Sequence, residues 1–182
     1  MITEIDLRDV LAKSIGSPHS DLVTRATGAK VRSRIEAELL AEPAAAAVVL
    51  DFSSVRVLDC SCADEVIAKL VLQRTQGPNG AVRFVIRGLA EGQAEEVDHV
   101  LRRRRLALVA EELGGRPRLL GEVDPSAAAA WEVLTDRGSA APAEVALALC
   151  LAIEETERAL AALVAAGVAR QAEGRFLPLT AA

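Results

Sequence analysis

The residues best suited to chemistry crowd into one stretch, Asp59-Cys60-Ser61-Cys62-Ala63-Asp64-Glu65. It holds a hydroxyl, two thiols and three carboxylates within seven residues. Ser61 followed three positions later by Asp64 is a capping-box-like pattern, in which a serine oxygen takes a free backbone N–H of a helix's first turn. Ser61 is therefore expected to cap a helix that opens at Cys62. Cys60 and Cys62 have a single residue between them, tighter than zinc pairs, which leave two or more. The third cysteine, Cys150, and the two histidines, His19 and His99, lie far off in the chain, so no metal and no cofactor is expected. The two thiols read as small buried side chains, and a thiol pKa lowered by the helix start is the sharper alternative. Asp51 and Asp59 are carboxylates at the ends of apolar runs, and acids so placed more often hold loop N–H groups than act as acid and base.

A second cluster is cationic: Arg102, Arg103, Arg104 and Arg105 are consecutive. On a helix, four consecutive side chains point to all sides, so at least one meets the sheet or a partner. A solvated face with snorkelling stems is the plain reading; a docking patch for an acidic partner or a phosphate-bearing ligand is the sharper one. Asp98, His99, Glu111 and Glu112 nearby weaken any nucleic-acid role. The chain contains no G-x-S-x-G, no phosphate-binding glycine loop, no G-x-G-x-x-G and no H-E-x-x-H. With no catalytic constellation in sight, an enzyme is not expected.

The elements that must position these groups follow from periodicity. Residues 2–11 alternate apolar and polar and suggest one or two short strands. Gly16 to Ser20 reads as a loop. Thr27 reads as the cap of a helix to about Ala41, with Val31, Ile35 and Leu39 on one face and Pro43 beyond its end. Residues 47–52, AVVLDF, form a short continuous apolar run of the kind found in buried central strands. A helix over about 62–76 buries Ala63, Val66, Ile67, Leu70 and Val71 and stops in Gly77-Pro78-Asn79-Gly80. Residues 81–87 form a second buried strand. A long charged helix is expected over 91–113, ended by Gly114-Gly115, and 117–123 as an edge strand beginning at Pro117. Alternation of strands and helices implies parallel pairing, hence an α/β sheet of about four or five strands with packed helices.

Asp124-Pro125 opens a different section, since Asp caps a helix and Pro suits its first position. Helix one is expected to end near Asp136 and to bury Ala130, Trp131 and Leu134, with Gly138 breaking it. Helix two runs from Pro142 to Leu149 and helix three from about Glu154 to Ala166, with Gly167 at its end. A tight Glu173-Gly174 turn joins two short strands. The predicted organisation is an α/β domain over 1–123 and a small winged-helix-like domain over 124–182.

The chain has 182 residues, a net charge of −5 and an apolar fraction of 51%. It has no Tyr, and its only large rings are Phe52, Phe84, Phe176 and Trp131. Base stacking needs exposed rings, and nucleic-acid binders are usually basic; neither condition is met. No run of 18 apolar residues occurs, so no membrane span is expected. The acidic start MITEIDLRDV is unlike a signal peptide. Three cysteines leave one unpaired, which points to the cytoplasm.

The stretch V-V-L-D-F-S-S-V-R-V-L-D-C-S-C-A-D-E-V-I-A-K-L, residues 48–70, resembles the STAS domains of bacterial anti-sigma-factor antagonists, where a strand ending in D-F-S leads through a short loop to an Asp-x-Ser at a helix start. Its S-x-A-D-E is similar to a divergent STAS-like bacterial branch, as is the upstream L-V-T-R-A-T-G-A-K-V-R. The resemblance covers roughly residues 1–123. It implies a STAS-like fold and a phosphoswitch, with Ser61 at the position that a histidine-kinase-like ATPase phosphorylates. The motif departs at Cys62, where Gly or another small residue is usual. A phosphate at Ser61 would meet the positive end of the helix, while Asp59, Asp64 and Glu65 would repel it, making the modification a repulsive switch at a surface formed by Asp59, Cys60, Asp64 and Glu65.

The tail is similar to winged-helix regulators of several families, a likeness that bears on fold more than on function. A DNA-reading helix needs Arg, Lys, Asn or Gln, yet helix three opens with Glu154, Glu155 and Glu157, and residues 125–182 carry a net charge of −3. The expected function is that of a non-enzymatic regulatory adaptor, signalling through a protein partner that is a kinase-like ATPase or another regulator, its tail docking elsewhere or forming a homodimer. The alternative is a transcriptional regulator that binds DNA through the tail.

Overall fold

The computed structural model describes residues 2–15, 20–41, 47–75, 82–111 and 115–180. Ile2–Asp6 forms strand β1, and the chain turns directly into helix α1 (Leu7–Ile15). The strand pattern expected over 2–11 is therefore only half correct. Leu7, Val10 and Leu11 stand three and four apart and all bury, which satisfies a helix face better than a pleat. The Asp6 carboxylate opens the helix by accepting from Arg8 N at 2.8 Å.

Strand β2 (Asp21–Leu22) leads into α2 (Arg25–Ala41), which buries Val31, Ile35 and Leu39 as their spacing required. Thr24, not Thr27, sits at its start: Gly28 N donates to Thr24 O at 3.1 Å, and Thr27 N to Thr24 Oγ1 at 3.4 Å. The expected loop at Gly16–His19, the helix-stopping Pro43 and the turn Gly77–Gly80 lie outside the described residues.

Strand β3 (Ala47–Asp51) is followed by β4 (Val57–Leu58), which pairs in parallel with β2 in a small separate sheet. The 60–75 helix then runs as α3 (Cys60–Cys62), a π-helical stretch Ala63–Ala68 and α4 (Lys69–Thr75). Its predicted stripe of Ala63, Val66, Ile67, Leu70 and Val71 is buried throughout. Strand β5 (Arg83–Arg87) precedes α5 (Glu91–Arg103).

The long helix expected over 91–113 is corrected here. It stops at Arg103, and Ala107–Glu111 is strand β6, which the sequence reading missed. Leu106 N donates to Leu101 O at 3.0 Å and Arg105 N to Arg102 O at 3.1 Å. That is a Schellman closure, with Arg105 at φ 54 in the left-handed place usually given to Gly. With no glycine there, and helix formers on both sides, nothing local marked the end. Only Arg102 and Arg103 of the arginine run are thus helical.

Strand β7 (Pro117–Gly121) pairs antiparallel with β6 at the edge, as the early proline allows, while the other pairings are parallel. The sheet order is β1-β3-β5-β6-β7. At the end of β7, Gly121 has φ 99, and a Cβ there would stand 2.1 Å from Leu106 O, so only glycine fits that crossing.

Pleating divides the sheet residues between two cores. Val48, Leu50, Phe84, Ile86, Leu108 and Ala110 face α1, α2, the 60–75 helix and α5. Ala47, Val49, Val85, Ala107 and Val109 face the opposite way. That second face is covered by α6 (Pro125–Arg137), α7 (Pro142–Leu149), α8 (Ile153–Ala165) and the hairpin of β8 (Ala169–Ala172) and β9 (Arg175–Pro178). Burial on both faces explains why β3 and β5 read as unbroken apolar runs. The capping expected at Asp124 is present, its carboxylate accepting from Ser126 N at 2.9 Å. Gly138 ends α6 at φ 73, and Ala140 bridges to Phe176 beside the hairpin. The molecule is thus mixed α/β, with a five-stranded mixed sheet between two helical layers.

Candidate functional site

The first turn of the 60–75 helix is capped by Asp59, which corrects the assignment of that role to Ser61. Asp59 has extended backbone, φ −89 and ψ 160, and its Oδ1 accepts from Cys62 N at 2.7 Å. The helix therefore starts two residues earlier than expected, and Ser61 lies inside its first turn. The Ser61 hydroxyl donates to the same Asp59 Oδ1 at 2.8 Å. The Ser61–Asp64 capping box does not form, because Asp64 is engaged elsewhere.

Asp59 also reaches across the fold. Its Oδ2 accepts from Thr24 N at 2.9 Å, and its own N–H donates to Leu22 O at 3.1 Å. Burial works to raise its pKa, but the N–H groups of Thr24 and Cys62 and the Ser61 hydroxyl outweigh that and hold it below the ordinary carboxylate value. Thr24 adopts φ 74, a left-handed conformation costly for a β-branched residue. It is held there from both sides, since the Cys62 thiol donates to Thr24 O at 3.0 Å. Backbone strain held in this way is a recurrent feature of functional sites.

The Cys62 thiol is not activated. Burial, and next the Asp59 charge, push its pKa up to about 12. The lowered thiol pKa considered from the helix start is thus contradicted at Cys62: dehydration and a neighbouring carboxylate outweigh the helix dipole. Cys60 is half-buried.

Packing of α2 against this helix depends on Gly28. A Cβ there would stand 2.9 Å from the Glu65 Cβ and 3.2 Å from the Cys62 Cα. The two backbones approach closely enough to bring the cations of α2 over the acids of the π-helical stretch, a helical form found often at functional sites.

Asp64 is clamped by Arg104, whose Nε and second terminal nitrogen donate to its two oxygens at 2.6 and 2.9 Å. Arg25 adds a contact of 3.3 Å. The Arg104 hydrogen bond is the main cause that lowers the Asp64 pKa, against an opposing effect of burial. Glu65 is only 4% exposed. Arg25 donates to it at 2.9 Å, Lys69 from one turn along the helix donates as well, and Arg32 Nε stands 3.7 Å away. Burial works to raise the Glu65 pKa, but these cations, Lys69 first, bring it below the ordinary value.

These residues border a cleft of about 590 Å³, lined by Arg25, Cys60, Ser61, Asp64, Arg103 and Arg104 together with Leu72 and Val100. Of the residues singled out in the sequence, the structure brings Asp59, Cys60, Ser61, Asp64, Arg103 and Arg104 to this cleft or its floor. Glu65 lies behind it, buried. Arg102 instead pairs along its own helix with Asp98 at 2.6 Å, and Arg105 is exposed in the turn. The sequence reading missed Arg25, Arg32 and Lys69. Lys69 had a local signal, four residues after Glu65. Arg25 had none, and Arg32 had a local partner only in Glu36, at 2.7 Å one turn along α2, since Asp64 and Glu65 lie more than thirty residues from both arginines.

The fold and this site define a mixed α/β protein with a serine, a capping acid and an arginine-bordered cleft on one helical face. Comparison with family models, with curated proteins and with solved structures finds no match. Among the described residues, no helix is long and apolar enough to cross a membrane.

Proposed function

We propose that the chain is a non-enzymatic bacterial regulatory adaptor, STAS-like over 1–123 and winged-helix-like over 124–182, which works by binding a protein partner and carries a serine phosphoswitch at Ser61. The observation that carries this reading is the half-buried Ser61 hydroxyl, bonded to Asp59 and bordering the same cleft as Arg25, Arg103 and Arg104. Phosphorylation would remove the proton donated to Asp59 and place a dianion against that carboxylate. The phosphate oxygens would then seek the guanidinium groups of the cleft, in competition with Asp64.

This modifies the purely repulsive switch expected from the sequence. Asp64 and Glu65 are already paired with Arg25, Arg32, Lys69 and Arg104, so the modification would act by redrawing an ion-pair network. The surface it rearranges is the one a kinase-like ATPase or another regulator would read. The DNA-binding alternative is weaker, because the exposed positions of α8 are Ile153, Glu154, Glu157, Arg158, Ala161, Ala162 and Ala165, a face that phosphates would avoid.

The test is mass spectrometry of the protein isolated from its own cells across growth conditions. A phosphate on the peptide containing Ser61, lost in Ser61→Ala, is the expected result. A chain that is never modified at Ser61, and whose partner binding is the same in wild type, Ser61→Ala and Ser61→Asp, removes the switch.

A further inference from the structure

We propose that a second cleft, on the opposite face of the sheet from Ser61, binds a small organic oxyanion: a carboxylate or phosphate group carried on a short apolar body. The cleft is about 810 Å³, within the range of small-molecule pockets. It lies between Ile2, Ala47 and Arg83 at the starts of β1, β3 and β5 and the hairpin residues Arg170, Leu177 and Pro178.

Charge is the first argument. Among the described residues, three arginines, Arg83, Arg116 and Arg170, line this cleft of an otherwise acidic chain, and the one acid is Asp136. That acid is engaged, accepting from Arg116 at 2.5 Å, and Arg116 also pairs with Glu132 at 2.9 Å. The cationic surplus is therefore Arg83 and Arg170. Neither has an ion-pair partner among the described residues.

Burial is the second argument. The strand register sets Arg83 beside Ala47, on the face that carries Val85 toward the C-terminal helices. Its Nε is buried and has no hydrogen-bond partner among the described residues. A buried guanidinium N–H without an acceptor is costly, and native structures rarely leave one so. The planar fork of Arg suits a carboxylate or phosphate, which would supply the missing acceptor. The 46% exposed Ile2, with Leu177 and Pro178, offers the apolar wall for the body of the ligand. Such a ligand would bridge the sheet and the hairpin and so strengthen the seating of the C-terminal layer.

The test is titration of the full chain with hexanoate, hexyl phosphate and hexanol, read by melting temperature and by the NMR resonance of the Arg83 side-chain N–H. Saturable binding of at least one of the two anions, with a shift of that resonance and a raised melting temperature, is expected; which anion binds more tightly identifies the head group. Arg83→Met and Arg170→Gln should each weaken binding by about tenfold or more, the scale of one charge-assisted hydrogen bond, while Arg8→Gln, at an exposed position of α1, leaves it unchanged. Arg170 is exposed, so its variant keeps the test open if Arg83→Met fails to fold. No saturable binding of either anion, hexanol binding as tightly as the anions, or wild-type affinity in Arg170→Gln overturns the proposal. None of these outcomes depends on Ser61.

Discussion

The Ser61 hydroxyl donates to Asp59 Oδ1 at 2.8 Å, and that same oxygen takes Cys62 N at 2.7 Å. The acid, not the serine, therefore holds the helix start, and the serine is left as a donor that the helix does not require. Asp59→Ala should cost about 1–2 kcal/mol, the scale of a lost cap, and should also loosen Thr24. Ser61→Ala should cost less than about 1 kcal/mol, since one hydrogen bond between side chains is lost. Urea denaturation of both variants checks the order, and a larger loss for Ser61→Ala would return the cap to the serine.

Gly28→Ala should destabilise the chain even though Ala is the better helix former by about 1 kcal/mol. The added methyl meets the Glu65 Cβ at 2.9 Å and the Cys62 Cα at 3.2 Å. Helix α2 must then lift away, and overpacking of this kind costs about 1–3 kcal/mol. A raised melting temperature for Gly28→Ala would contradict the close approach.

Acid should attack the Asp59–Asp64–Glu65 cluster. The pKa values of all three are lowered in the folded chain. Their stabilisation is therefore complete above the unfolded carboxylate values of about 4 and is lost as pH falls through the lower folded values. Glu65→Gln, which leaves Arg25, Arg32 and Lys69 facing a neutral group, should cost about 2 kcal/mol or more at neutral pH. It should also flatten the stability profile between about pH 5 and pH 2. Parallel acid titrations of wild type and Glu65→Gln measure both effects, and superimposable profiles would show that the cluster is not coupled to folding.

The three thiols should differ in reactivity. Cys150 is exposed, Cys60 half-buried and Cys62 buried, with the Cys62 pKa near 12. Since the thiolate is the nucleophile, iodoacetamide at neutral pH should modify Cys150 first and Cys62 last, and only with unfolding. Peptide mapping over time checks this; alkylation of Cys62 at the rate of Cys150 would sink it.

The C-terminal layer should not melt separately from the sheet. Val49, Val85 and Val109 share a core with Trp131, Leu160 and Leu163, and Trp131 is fully buried, its indole N–H donating to Val168 O at 3.3 Å. Heating followed by Trp131 fluorescence and by far-ultraviolet circular dichroism should give coincident transitions. A chain ending at residue 123 should aggregate, since it uncovers one whole face of the sheet. Two well-separated transitions in the full chain would show that the layers are independent.

Local pattern was enough for much of this protein. The apolar runs of β3 and β5, the stripe from Ala63 to Val71, and the Asp124-Pro125, Pro142 and Glu173-Gly174 punctuation all act within a few residues, so they are legible one segment at a time. The candidate cluster was legible only as a string of reactive side chains at residues 59–65. Which of them caps the helix depended on Thr24, thirty-five residues upstream, and which acids stay charged depended, beyond the neighbouring Lys69, on Arg25, Arg32 and Arg104. Such contacts have no period, so sequence spacing does not announce them. Strand β6 was hidden for a related reason: Arg105 takes a left-handed turn that composition assigns to glycine, and β6 consists of residues equally at home in a helix. Tertiary structure decided it, because the sheet beside β5 offered Val109 and Ala110 burial on both faces and hydrogen bonds on both edges, which a longer α5 in solvent would have given up.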